Sequence, residues 1–191
     1  MRHNGSMPCG GGPVMSRAKQ DITHVCPSSV ADKFLAEQLQ DGLSKLRHYR
    51  QGCHTFENGA FNDTPKDEVR GTVVRWLAKR YQQVTKPTIG NVLEHVRATT
   101  MLRGDVDPPF WIFPKRNDWD TKEILATRNT IVHLPTEETQ PATPRLFVQC
   151  ATSFDYKPDP PAPLKWLDFL QQVFDPEAID ALRMWFGYCL T

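Results

Sequence analysis

Sixteen prolines are spread unevenly along this chain, and most of them fall after residue 100. Proline lacks a backbone N–H and clashes with the preceding helical turn, which bars it from helix interiors and central strands. The first half can therefore hold long helices, whereas from Asp105 the pattern turns irregular and β. There "PPFWIF", "RNTIVHL" and "RLFVQCATSFDY" read as strands. "PTEETQPATP" reads as an irregular connection and "KPDPPAP" as a stiff, extended linker. Two helices are predicted after the linker, over 164–174 and 176–190, forming a tight corner at Asp175-Pro176. Asp175 can cap the second, Pro176 suits its first position, and Glu177 faces the positive end of its dipole. Ile179, Leu182, Phe186 and Leu190 then recur at helical spacing.

In the first half, residues 1–27 are rich in Gly, Ser and Pro and read as a disordered tail. A helix is predicted from about Pro27 to Leu46, with Val30, Phe34, Leu35 and Leu39 as its apolar face and Ser28 or Ser29 as its cap. Tyr49, Cys53, Phe56 and Phe61 flank an Asn58-Gly59 pair, a strong hairpin signal. Thr64 and Asp67 make a capping box with Pro65 at the first helical position, and Val69, Val73, Trp76 and Leu77 line one face of the helix that follows. Lys86-Pro87 is expected to break the chain. Thr88 would then cap a helix burying Ile89, Val92, Leu93 and Val96 and ending near Arg103-Gly104. The expected architecture is α+β: a mostly helical module over 28–158 with a β-hairpin and a short irregular β region, then a linker and C-terminal helix pair over 159–191.

Composition narrows the class. The apolar fraction is only 39%, but ten Phe and five Trp can still build a core across 191 residues. A formal net charge of +1 implies no bulk attraction to nucleic acid or to anionic surfaces. The five cysteines, at positions 9, 26, 53, 150 and 189, are widely spaced and form no CxxC, which fits a reducing, cytoplasmic setting. No apolar run reaches membrane-spanning length and the N-terminus lacks the hydrophobic segment of a signal peptide, so no membrane association is expected.

Chemical motifs are sparse. The chain has no GxxxxGK followed by Ser or Thr, no GxGxxG, no GxSxG and no HExxH. ATP hydrolysis and cofactors are accordingly not expected in this chain. The pairs Asp105/Asp107 and Asp118/Asp120 have the spacing of two-metal sites, but their proline-rich or polar surroundings mark them as solvated turns. His48, Cys53 and His54 offer three zinc ligands near one hairpin without a partner pair, so no metal is expected. His95 and His133 have no hydroxyl or thiol placed to use them and read as structural.

The positive signal is a basic run on and just after one helix. Arg75 and Lys79 are spaced i, i+4 and share a face, with Arg70, Arg80 and Lys86 nearby. Lys115 and Arg116 add a basic turn, and Tyr81 and Trp111 are candidates for stacking on bases. Phosphate binding needs such a cluster rather than a high global charge. Arg75, Lys79, Arg80 and Lys86 are thus candidate contacts to DNA, without sequence preference. The Lys86-Pro87-Thr88 connection also leaves open a helix-turn-helix regulator built on residues 65–103.

Three stretches of the second half resemble landmarks of the phage and plasmid primase-helicases, which are similar to the poxvirus-type primase-helicase. In "LATRNTIVHLPT", Arg128, Asn129 and Ile131 match a short strand motif, with Thr130 where a glycine is usual. Phe154, Asp155, Tyr156 and Pro158 match an aromatic–acidic–proline segment, with Asp155 and Tyr156 in swapped order. Pro163, Trp166, Phe169 and Leu170 match a third landmark, and Leu182, Gly187, Tyr188, Leu190 and Thr191 a fourth. The resemblance covers about residues 125–191, is weaker over 45–124 and is absent before that. It implies a role in DNA replication, as the adaptor region preceding a superfamily-three helicase motor that the chain does not include. It further implies that ATP and Mg belong to that motor, that the helicase domain or other replication proteins are partners, and that the chain is a truncated piece of such a protein. The C-terminal helices then carry more apolar surface than they can hide by pairing, which predicts self-association.

Overall fold

A computed structural model describes residues 19–189. Leu190, Thr191 and residues 1–18 of the expected tail lie outside the described residues. A short strand, β1 (Gln20–Asp21), leads into helix α1 (Pro27–Ala36), which buries Val30, Ala31, Phe34 and Leu35. Pro27 occupies the first turn and Cys26 the cap position, so neither Ser28 nor Ser29 caps the helix. The expected continuation to Leu46 does not form. Asp41 and Gly42 adopt positive φ (52° and 75°) and make a two-residue turn between β2 (Leu39–Gln40) and β3 (Leu43–Ser44). Asp-Gly is a hairpin signal of the same kind as Asn-Gly, and it stops the helix here.

Next comes an antiparallel meander of β4 (Leu46–Tyr49), β5 (Gly52–Glu57) and β6 (Ala60–Thr64), in that order. Its second turn is the expected one: Asn58 and Gly59 both have positive φ (52° and 81°), and Phe56 faces Phe61 across the pair. Helix α2 (Lys66–Arg80) follows, but not through a capping box. The Thr64 hydroxyl bonds to Thr55 and to the Asn62 carbonyl instead, and Pro65 holds the cap position. Strand β7 (Tyr81–Gln82) returns to pair in parallel with β1. Helix α3 (Lys86–Thr100) is opened, not broken, by Lys86-Pro87; its cap is Thr85, whose hydroxyl accepts the Thr88 amide at 3.4 Å.

The second half is as irregular as its prolines require. β8 (Phe110–Trp111) pairs with the later β12 (Leu146–Phe147), while β9 (Ile124–Ala126), β10 (Thr130–His133) and β11 (Thr139–Pro141) form a second small sheet. β11 lies within the stretch expected to be irregular, and the long third strand expected over 145–156 shrinks to two residues. Helices α4 (Leu164–Val173) and α5 (Pro176–Tyr188) close the chain, with the Asp175 carboxylate capping the Ala178 amide at 2.8 Å. The fold is α+β, but "mostly helical" overstates it: helices account for 38% and strands for 24% of the described residues.

Successive side chains of a strand point to opposite faces, and the meander uses both faces for burial. Leu46 and Cys53 join Val30, Phe34, Val73, Leu77, Val92 and Val96 in a helical core. Their sequence neighbours on the other face, Tyr49, Phe56 and Phe61, surround Phe147. Each large side chain so buried contributes roughly 1.5–3 kcal/mol. A third cluster of Trp111, Ile131 and Leu146 fills the space beneath the second sheet.

Candidate functional site

Helical periodicity sorts the basic residues of α2. Val69, Val73 and Leu77 are buried, which turns Arg75 and Lys79 to the opposite, exposed face. Among the described residues Arg75 reaches only the Thr72 hydroxyl, at 3.2 Å. Arg80 lies on a flank and is committed: both Glu37 carboxylate oxygens accept from its Nη2, at 3.0 and 2.8 Å, and its guanidinium stacks 4.5 Å from the Trp76 ring centre. Trp76 donates to the same Glu37 carboxylate at 2.8 Å. Lys86 is exposed at the start of α3. Arg75 and Lys79 thus form a solvent-facing pair, while Arg80 ties α2 to α1. The aromatic candidates for stacking are not available: Tyr81 and Trp111 are buried, and the Trp111 indole donates to the Trp119 carbonyl at 2.9 Å. Between α2 and α3 the chain inserts β7 rather than the short turn of a helix-turn-helix.

The three residues considered for zinc are divided by the pleat. His48 and Cys53 face each other on the helical side, and His54 points into the aromatic side against Tyr49 and Phe147. Thr100 donates its hydroxyl proton to the Val96 carbonyl at 2.7 Å, so its oxygen accepts from His48 Nδ1, also at 2.7 Å. That assignment leaves His48 Nε2 as the acceptor for the Cys53 thiol at 3.0 Å. Burial, reinforced by the Arg97 and Lys66 charges, pushes the His48 imidazole below its ordinary pKa, and burial raises the Cys53 thiol. The set is a neutral, satisfied chain of hydrogen bonds that ties the meander to the end of α3.

The carboxylates are likewise separated, each with its own partner. Asp105 takes two bonds from Arg103, Asp107 pairs with Arg50, Asp118 pairs with Arg145, and Asp120 accepts the Lys122 amide. Burial works to raise the Asp118 carboxyl, but bonds from Arg145 and from the Lys115 amide outweigh it and hold the group below the usual range. His133 stacks on Trp119 at 5.0 Å and meets the Thr136 hydroxyl at 2.7 Å, while His95 is exposed on α3.

The densest polar contact of the second half joins two adjacent residues to two others. Arg128 makes parallel bonds to both oxygens of Asp155, each at 2.8 Å. Asn129 takes the Tyr156 backbone amide on Oδ1 at 2.9 Å and gives Nδ2 to its carbonyl at 3.2 Å. The fully buried Thr127 hydroxyl bonds to Asn129 Oδ1 and to the Thr130 carbonyl. Gly59, at the hairpin tip, seats on this turn so closely that a Cβ there would fall 2.0 Å from the Thr127 carbonyl oxygen.

A family model described as "D5 N terminal like" matches residues 44–175. The chain belongs to this D5 N-terminal-like family. Such domains are the N-terminal domains of D5-type primase-helicase proteins. A search of curated proteins finds no match to the chain.

Within the D5 N-terminal-like region the match begins at residue 44, next to the first strand of the meander, and contains the whole Arg128/Asn129–Asp155/Tyr156 clamp. It ends at residue 175, so Gly187 and Tyr188 on α5 lie beyond it. Of the third landmark, Trp166 and Phe169 stack on each other at 5.6 Å on the exposed side of α4, and Leu170 is the buried residue of that helix. A Cβ on Gly187 would meet nothing within 4 Å, and Tyr188 is 80% exposed. Among the described residues no helix is long and apolar enough to cross a membrane.

Proposed function

We propose that this D5 N-terminal-like chain acts in phage or plasmid DNA replication as the adaptor that docks a superfamily-three helicase motor through α4 and α5. The observation that carries this reading is the uncovered apolar face of the helix pair. Trp166 (48% exposed), Phe169, Val173, Phe174, Trp185 (59%) and Phe186 all face solvent, and α5 buries none of its residues. Exposed large apolar side chains in this number on two adjacent helices mark an interface. Family membership supplies the partner's chemistry, because the family's proteins are primase-helicases. Arg75 and Lys79 supply weak, sequence-independent contacts to DNA phosphates on the back of α2.

The test adds the helicase domain of a D5-type protein in trans. Co-elution, with a blue shift of tryptophan emission that Trp166→Glu or Trp185→Glu abolishes, is the expected result. Without the motor, light scattering should report self-association and an apolar dye should bind. A monomer at tens of micromolar that binds no dye and ignores the helicase domain overturns the reading.

A further inference from the structure

The meander carries a charge that finds no partner among the described residues. Arg47, on β4, is only 6% exposed, and its guanidinium makes neither a hydrogen bond nor an ion pair among the described residues; its Nε is sealed from solvent. Burying an unpaired charge is among the costliest things a protein interior can do. The same fold pairs its other deeply placed arginine: Arg145 holds Asp118 and stacks 4.7 Å from the Trp111 ring centre. Arg47's cross-strand neighbour offers no relief, because it is His54, whose imidazole burial keeps neutral.

What Arg47 faces is a cleft. A cavity of about 470 Å³ opens over it, walled by Val106, Phe110, Trp111 and Phe113 with Met101 at the edge. Phe113 and Met101 are 54% and 44% exposed, so the cleft offers a free aromatic face beside a buried cation. No carboxylate lines this cavity among the described residues; its other charge is Arg103, held by Asp105. Arg47, Thr99 and Phe113 also line an adjoining cavity of about 300 Å³, whose one acidic lining residue is Asp32. A guanidinium prefers a phosphate, which it can meet with parallel bonds. An exposed phenyl ring prefers a flat, unpaired base. Two adjoining cavities that share both groups suit successive units of a polymer better than one small molecule.

We infer that the Arg47–Phe113 cleft binds single-stranded DNA, with a phosphate on Arg47 and an unstacked base on Phe113. The inference rests on the reading that this chain contacts DNA, and it places a strand-selective site apart from the non-selective face of α2. A duplex keeps its bases stacked and cannot offer one to Phe113, so the cleft discriminates single strands from duplex.

The experiment measures fluorescence anisotropy of a labelled oligothymidylate with the full chain, against a duplex competitor. Four proteins are compared: the parent, Arg47→Met, Phe113→Ala, and the double variant Arg75→Glu/Lys79→Glu. Arg47→Met and Phe113→Ala should each weaken single-strand binding about tenfold and remove the preference over duplex. Arg47→Met should also raise the melting temperature by about 2–4 °C, since it relieves a buried unpaired charge. The double variant should weaken both forms of DNA alike and keep the preference. If Arg47→Met binds as the parent does, or melts lower than the parent, the cleft assignment is overturned while the α2 reading stands. If the parent binds neither DNA form at low salt, the DNA reading fails along with it.

Discussion

Asn129 reads Tyr156 through the backbone alone: its side-chain amide pairs with both the N–H and the C=O of that residue, at 2.9 and 3.2 Å. The phenol ring plays no part in this pairing. The contact therefore does not depend on which side chain stands at position 156, and Asp155 is held separately by Arg128. Asn129→Ala should give up both bonds to the solvent-accessible Tyr156 backbone, while the Thr127 hydroxyl keeps the Thr130 carbonyl, and should cost about 0.5–1.5 kcal/mol. Asn129→Asp should be no milder, because it sets a carboxylate against the Tyr156 carbonyl. Urea unfolding measures both, and an unchanged midpoint for Asn129→Ala would falsify the clamp.

Two glycines in similar turns should respond differently. Gly42 and Gly59 both have positive φ, but nothing lies within 4 Å of a Cβ on Gly42, whereas one on Gly59 would strike the Thr127 carbonyl. Gly42→Ala should cost only the left-handed backbone penalty, about 1–2 kcal/mol. Gly59→Ala adds a collision that the hairpin can escape only by leaving the Thr127 turn. Thermal melts of the two variants decide; equal losses would mean that the hairpin tip does not bear on that turn.

Acid should weaken the fold through its histidines. Burial depresses the folded-state pKa of both His48 and His54 below the unfolded value of 6.5. The unfolded chain therefore binds more protons between those values, and stability rises with pH across that window. The contribution is complete above pH 6.5 and is lost as pH falls below it, through the folded-state values. Melting temperature should fall between pH 7 and pH 5, and less steeply in His48→Gln. A slope identical to the parent's would remove His48 from the account.

The basic residues of α2 should separate into two classes. Arg80→Ala gives up the Glu37 pair and the Trp76 stack and should destabilise by about 1 kcal/mol. Arg75→Ala should fall within about 0.5 kcal/mol of the parent. In DNA binding the order reverses, and reversal of Arg75 and Lys79 should flatten a log-log salt dependence that starts near about −2 to −4. An Arg80 variant that loses DNA affinity without losing stability would reassign that residue.

The parts of this fold that were legible in the sequence are the ones fixed by neighbours. Asn58-Gly59 sets its own turn, and α2, α3 and the terminal helix pair announce themselves by apolar spacing. The helix ends are harder: Thr85 and Thr88 both flank Pro87 and either could cap α3, where Thr85 does, while Thr64 stands beside Pro65, which itself holds the cap position of α2. Asp41-Gly42 is a turn signal of the same kind as Asn58-Gly59, and the helix expected from Pro27 to Leu46 runs straight over it. The candidate site was less legible. Nothing local to Arg80 points to Glu37, 43 positions away, and nothing in "LRHY" marks Arg47 as a buried charge. Tyr81 and Trp111 looked available for stacking because aromatic burial is decided by strands and helices distant in sequence.

The meander β4–β6 buries side chains on both of its faces. Its central strand is bonded along both edges and roofed by helices on one face and by the aromatic cluster on the other. A slip of one residue would send Cys53 and Leu46 into the aromatic layer and Tyr49 and Phe56 into the helical one, so no alternative register is even partly satisfying. Nor can either layer be shed alone, since each would strip the other's wall. Amide protons of β5 should consequently be the last to exchange with solvent, and at a rate set by the whole fold rather than by any local opening. The halves that proline separates along the chain are thus fused, through one thin sheet, into a single thermodynamic object.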